Sequence, residues 1–73
     1  MDHQQDALRR LGRRLTELRQ QNQLTPDQLA AATGLNVQEI TAIEAGEHDP
    51  PITTIMALCH GLGVLPTELL GSP

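Results

Sequence analysis

Residues 24–46, LTPDQLAAATGLNVQEITAIEAG, read as two short helices separated by a tight turn. Thr25-Pro26-Asp27-Gln28 is a capping box, in which a hydroxyl and an amide three residues apart satisfy each other's backbone N–H groups. Proline suits the first helical position because it has no N–H to leave unpaired. Leu29, Ala30 and Ala31 continue with good helix formers, and Gly34 stops the helix. Asn36-Val37-Gln38-Glu39 has the pattern of a second capping box, so the next helix begins after a turn of about three residues. So short a turn holds two helices at a steep angle and projects the N-terminal half of the second outward.

The flanking segments supply the helices that this pair needs for a core. Leu8, Leu11, Leu15 and Leu18 recur at intervals of 3, 4 and 3, one apolar stripe of a first helix running from about Gln4 to Gln21. Asp2 and Asp6 sit at its start, where carboxylates complement the helix dipole. Arg9, Arg10, Arg13 and Arg14 lie off the stripe and are expected in water. Residues 20–23 form a polar connection, and Leu24, Leu29, Leu35, Ile40 and Ile43 are the apolar positions of the two short helices. Gly46 and the paired prolines 50–51 mark a loop. A fourth helix covers residues 52–62, where Ile55, Leu58, Cys59 and Leu62 fall at i, i+3, i+4 and i+7. Gly61 weakens it, Gly63 ends it, and Pro66 opens a last short helix through Leu70. The expectation is an all-α fold, five helices in one compact domain over residues 1–73.

Composition narrows the function. A 73-residue chain buries roughly 60% of its unfolded surface, enough for one helical core but not for a substrate cavity with a catalytic shell. Without aromatic residues, that core must be Leu, Ile, Val, Ala and Met. No apolar run approaches the roughly 18 residues of a spanning helix, and the N-terminus is too polar for a signal peptide. The single cysteine excludes an internal disulfide and fits a reducing cytoplasm. Exclusive use of Arg over Lys, with abundant Ala and Leu, points to a bacterial source. Cys59, His60 and His48 lack the paired ligand spacing of a metal site, and Cys59 falls on the apolar stripe. Neither a Ser/His/Asp arrangement nor a glycine-rich phosphate loop is present, so neither an enzyme nor a cofactor is expected.

Charge is divided unevenly. Residues 1–21 carry all five arginines against three carboxylates. Residues 22–73 carry six carboxylates (Asp27, Glu39, Glu44, Glu47, Asp49, Glu68) and neither Lys nor Arg. Affinity for a duplex depends heavily on cations that neutralise phosphates, so any binding through the helix pair must rest little on charge.

Over residues 8–71 the chain resembles the Cro/repressor-type, lambda-repressor-like helix-turn-helix family. The resemblance is carried by Leu15-Thr16-Glu17-Leu18-Arg19, Leu24 with Leu29-Ala30, the turn Gly34, and Ile40-Thr41-Ala42-Ile43-Glu44-Ala45-Gly46. Pro50, Thr54-Ile55, Leu58, Leu62-Gly63-Val64 and Glu68-Leu69-Leu70 complete it. It implies a sequence-specific, DNA-binding transcriptional regulator of bacterial or phage type. The family's base-facing positions fall here on Val37, Gln38, Thr41 and Ala42. Glutamine is able to bond adenine N6 and N7 in bidentate fashion, and Val37 and Ala42 suit thymine methyls. Thr41 is able to donate to a base or a phosphate. Gln28 and the free N–H groups at helix N-termini suit phosphates. The resemblance also pairs Arg19 with Glu44.

Dimerisation is implied through helices 4 and 5, with Met56, Leu65, Leu69 and Leu70 as the apolar candidates, and hence a homodimer on an inverted repeat of duplex DNA. Leu65 stands where a polar cap is usual, a lost hydrogen bond in exchange for an apolar contact. Two other readings stay open. One is a protein-interaction module, antitoxin-like or anti-repressor, that kept the fold while its DNA face turned acidic, its partner meeting the Arg9, Arg10, Arg13, Arg14 face or the acidic face. The other is the DNA-binding domain of a longer regulator.

Overall fold

The protein is described by a computed structural model covering residues 3–71. Asp2, expected at the start of the first helix, lies outside them. Among the described residues the elements are α1 (His3–Gln21), α2 (Pro26–Thr33), α3 (Val37–Glu44), α4 (Ile52–Leu62) and α5 (Pro66–Leu70). Helix α1 packs on α3 and α5, α2 on α3 and α4, and α4 on α5.

Local chemistry accounts for nearly every boundary. Thr25 Oγ accepts the Gln28 N–H at 3.1 Å, and Gln28 Oε1 accepts the Thr25 N–H at 2.8 Å, so the capping box of α2 is complete. Gly34 closes α2 in the left-handed region, φ 76°, which only glycine enters without steric cost. Its N–H bonds back to the Ala30 carbonyl at 2.9 Å. The turn is Gly34, Leu35 and Asn36, and the Thr33 hydroxyl braces it by accepting the Leu35 N–H at 3.3 Å. The end of α1 carries no such signal: Gln23 takes a left-handed φ of 59°, and the Leu24 N–H returns to the Arg19 carbonyl.

The second capping box forms only in half. Asn36 Oδ1 accepts the Glu39 N–H at 2.7 Å, but the Glu39 carboxylate turns away from Asn36. It accepts instead from the Thr54 hydroxyl in the first turn of α4, at 3.3 Å. A charge-assisted bond to a neighbouring helix replaces the local one.

The core is aliphatic. Leu15, Leu29, Ile40, Ile43, Leu58 and Leu69 are fully buried, one or more from each helix, with Leu18, Ile55, Cys59 and Leu62 around them. Leu69 therefore leaves the set of dimer candidates. It is 1% exposed, whereas Leu70, about 100° further round α5, is 56% exposed. One residue of a short helix must fill the gap between α1 and α4, and the phase of α5 gives that place to Leu69.

Two glycines set how closely helices cross. A Cβ on Gly12 would lie 2.5 Å from the carbonyl oxygens of both Ile43 and Glu44, so α1 and α3 touch backbone to backbone there. A Cβ on Gly61 would lie 2.6 Å from the Thr33 methyl, where α4 meets the end of α2.

Candidate nucleic-acid interface

Helix α3 stands on Ile40 and Ile43, both fully buried, and this orients its other residues. Gln38 and Thr41 are exposed, while Ala42 is half-buried. Val37 is half-buried and packs against the core. Its outer methyl surface alone is free for contact. The Thr41 hydroxyl donates to the Gln38 carbonyl at 3.0 Å, so in this conformation its lone pairs face outward, able to accept from a base amino group. Gln28 is exposed at the start of α2. Its amide oxygen is held by Thr25, which leaves the amide N–H₂ as the outward donor.

The C-terminal end of α3 is fastened to α1. Arg19 Nε donates to Glu44 Oε2 at 2.7 Å and a terminal Arg19 nitrogen donates to Oε1 at 3.2 Å, a bidentate pair with both side chains 13% exposed. The remaining arm of the guanidinium donates to the Leu24 carbonyl at 2.9 Å. The Glu44 hydrogen bond raises the Arg19 pKa further above its ordinary value, so its charge is permanent. Through this fork, α1, the loop before α2, and α3 share one anchor.

The acidic character of the surface is smaller than composition suggests. Glu44 is spent on Arg19, and Glu39 is directed to Thr54, with His48 Nε2 a further 4.0 Å away. Asp27 and Glu47 remain exposed beside the two short helices. Arg9 passes against Gly46, one residue before Glu47, and pairs with Asp6 at 3.3 Å. Arg14, expected in water, is half-covered: its Nε donates to the Glu68 carbonyl at 2.7 Å and its NH1 reaches Glu17 at 3.4 Å, tying α1 to α5.

Arg10, Arg13 and Arg14 line an open groove of about 550 Å³ between α1 and α5, with Ala7, Leu69 and Leu70. Elsewhere, Met56 (54% exposed) and Leu65 (66%) stand out of the surface as expected, and Ile52 (66%) joins Met56 one turn earlier on α4. Sequence reading missed Ile52, although its i, i+4 spacing to Met56 was a usable signal. Leu65 supplies no side-chain cap; the Glu68 carboxylate still accepts the Leu65 N–H at 2.7 Å, so the half of the capping box that needs no polar cap residue is kept.

Among the described residues, no group of three or more His, Cys, Asp and Glu side chains is placed to hold a metal ion. No helix there is long and apolar enough to cross a membrane. Cys59 is 4% exposed, and burial, with the Glu68 charge adding to it, pushes its thiol pKa up. It is expected to resist iodoacetamide at mildly alkaline pH in the folded chain and to react once denatured, as followed by mass spectrometry. Equal rates in both states contradict its burial.

Residues 10–70 match the helix-turn-helix domain family. Over 65 residues the chain is 29% identical to the uncharacterized HTH-type transcriptional regulator y4dJ of Sinorhizobium fredii, covering 89% of this chain and 84% of that one. Among solved structures it is similar to the restriction-modification controller protein C.AhdI from Aeromonas hydrophila. That match has 32% identity and a TM-score of 0.83, over 85% of this chain and 94% of that one. An HTH_3 family transcriptional regulator from Vibrio cholerae matches at 26% identity and a TM-score of 0.87, over 90% of this chain but 37% of its own. The hypothetical transcription factor NHTF from Neisseria shares the fold, with 23% identity and a TM-score of 0.87, over 100% of this chain and 84% of that one.

Proposed function

The chain belongs to the helix-turn-helix domain family of DNA-binding transcriptional regulators, and from that premise we propose that it reads a short inverted repeat as a homodimer. The observation that carries this reading is the placement of α3. Its buried side is anchored by Ile40, Ile43 and the Arg19–Glu44 fork, leaving Gln38 and Thr41 outward on its first two turns.

Gln38 reads a base pair, with adenine as the natural partner of an amide. Val37 and Ala42 supply apolar contact to thymine methyls, and Thr41 accepts. Gln28 donates its amide protons to a phosphate, positioned by the same capping box that starts α2. The free N–H groups at the starts of α2 and α3 add contacts that need no cationic side chain. Ile52, Met56 and Leu65 form the apolar surface of the dimer, with Leu70 at its margin; a two-fold pairing there sets the recognition helices about 34–36 Å apart. The chain acts as one domain over residues 1–73, in the cytoplasm, without metal, cofactor or catalysis.

A selection from random duplexes at low salt, with label on the DNA, tests the reading. The expected winner is a palindrome, and its affinity falls only gently with salt because few phosphates are neutralised by Lys or Arg. Gln38→Ala is expected to weaken that complex by about ten- to a hundredfold, the cost of one base contact. No enrichment from folded protein leaves the protein-interaction reading in its place.

A further inference from the structure

Five arginines sit on α1, and three have work inside the fold: Arg9 with Asp6, Arg14 with Glu17 and the Glu68 carbonyl, Arg19 with Glu44. Arg10 and Arg13 have none. Both are exposed, and neither makes an ion pair or side-chain hydrogen bond among the described residues. They stand one turn apart on the rim of the α1–α5 groove, above an apolar floor of Ala7, Leu69 and Leu70. Glu17 is the one carboxylate in that lining.

The groove is turned away from the helix-turn-helix. Successive residues of a helix rotate by about 100°. Arg10, Arg13 and Glu17 therefore lie on the side of α1 opposite Gly12, whose missing Cβ marks the contact with α3. An occupant of the groove leaves Gln38 and Thr41 free. The groove is also the cationic exception on an acidic chain: residues 22–73 carry no Lys or Arg, so an acidic partner is repelled elsewhere and attracted here.

We propose that the α1–α5 groove docks a short acidic, amphipathic segment of another protein, its carboxylates on Arg10 and Arg13 and one or two apolar side chains against Ala7 and Leu70. Charge decides among occupants. A second copy joined isologously at this groove sets arginines against arginines, and a head-to-tail contact builds a ring or a filament in place of the two-fold dimer that an inverted repeat requires. A duplex lacks the apolar side chains that Leu70, 56% exposed, is placed to receive. A partner held here bridges the regulator to a second protein while α3 stays on DNA. The docking itself does not depend on the DNA-binding reading, because the groove shares no residue with the DNA-reading face and only Leu70 with the margin of the dimer surface.

The test is a fluorescein-labelled 14-residue helical peptide with two leucines spaced i, i+4 among glutamates, titrated with the full chain by anisotropy. Saturable binding is expected, weakened about tenfold or more by Arg10→Glu with Arg13→Glu and by a smaller factor by the double Gln variant. The Gln pair guards the result, since glutamate at these positions faces Asp6 and Glu17 four residues away and costs some helix stability. Absence of saturable binding overturns the proposal. So does equal binding by the Glu pair, by a lysine version of the peptide, or by a peptide with its leucines replaced by glutamine, the last reducing the groove to an anion patch. Displacement of the peptide by a scrambled duplex reassigns the surface to DNA.

Discussion

Replacing Gly12 by alanine is expected to lower the melting temperature by roughly 8–16 °C, measured by circular dichroism at the helical band. Two effects oppose each other. Alanine is the better helix former by about 1 kcal/mol, so on an exposed face this substitution stabilises. At this position the new methyl lies 2.5 Å from the carbonyl oxygens of Ile43 and Glu44. Those are backbone atoms of α3, and no rotamer change moves them aside. Overpacking of this kind costs about 1–3 kcal/mol and occasionally more, and rigid backbone puts it at the upper end or beyond. The net loss is about 2 kcal/mol or more, a large part of the roughly 4–11 kcal/mol that holds a domain of this length. DNA affinity should fall as well, since α3 must shift to admit the methyl. An unchanged or raised melting temperature means that α1 and α3 do not cross as closely as described.

Glu44→Ala is expected to cost about 3 kcal/mol, seen as a lower urea midpoint with an unchanged slope. The cause is what remains. Arg19 keeps its charge at every accessible pH, is 13% exposed, and retains the Leu24 carbonyl as an uncharged partner. An ion pair at the surface is worth about 0–1 kcal/mol, and breaking a buried one by removing a single member costs about 3–5 kcal/mol. The Arg19–Glu44 fork lies near the buried limit. Removing both partners, Arg19→Met with Glu44→Leu, should recover much of the loss, because no charge is then stranded. Single and double variants with equal losses mean that the fork contributes packing and not charge.

Much of the candidate interface was legible because the residues that shape it act on their own neighbours. Gln38 sits two residues beyond Asn36, and a cap of that kind sets the phase of the helix whatever surrounds it. Glu39 was misplaced for the complementary reason. Its carboxylate had a local partner in the Asn36 N–H and a distant one in Thr54, and sequence separation gives no sign of which lies nearer. The outcome matters to function, since it draws one carboxylate from the start of the recognition helix toward α4.

The sequence by itself determined the helices and their ends. Thr25 with Gln28, Pro26, Gly34, Asn36, Gly63 and Pro66 act within four residues of themselves, and their hydrogen bonds or missing N–H groups leave the backbone little choice. The tertiary structure decided everything that depends on two helices meeting. It made Gly61 a spacer against Thr33 where composition showed only a weak helix former, and it put Leu69 in the core and Leu70 in the solvent. It turned Arg14 onto α5 while leaving Arg10 and Arg13 open. The physical reason is one of range. A cap is closed by atoms a few bonds away, whereas the fate of a Cβ or a carboxylate at a crossing is set by the approach of a helix from any other part of the chain.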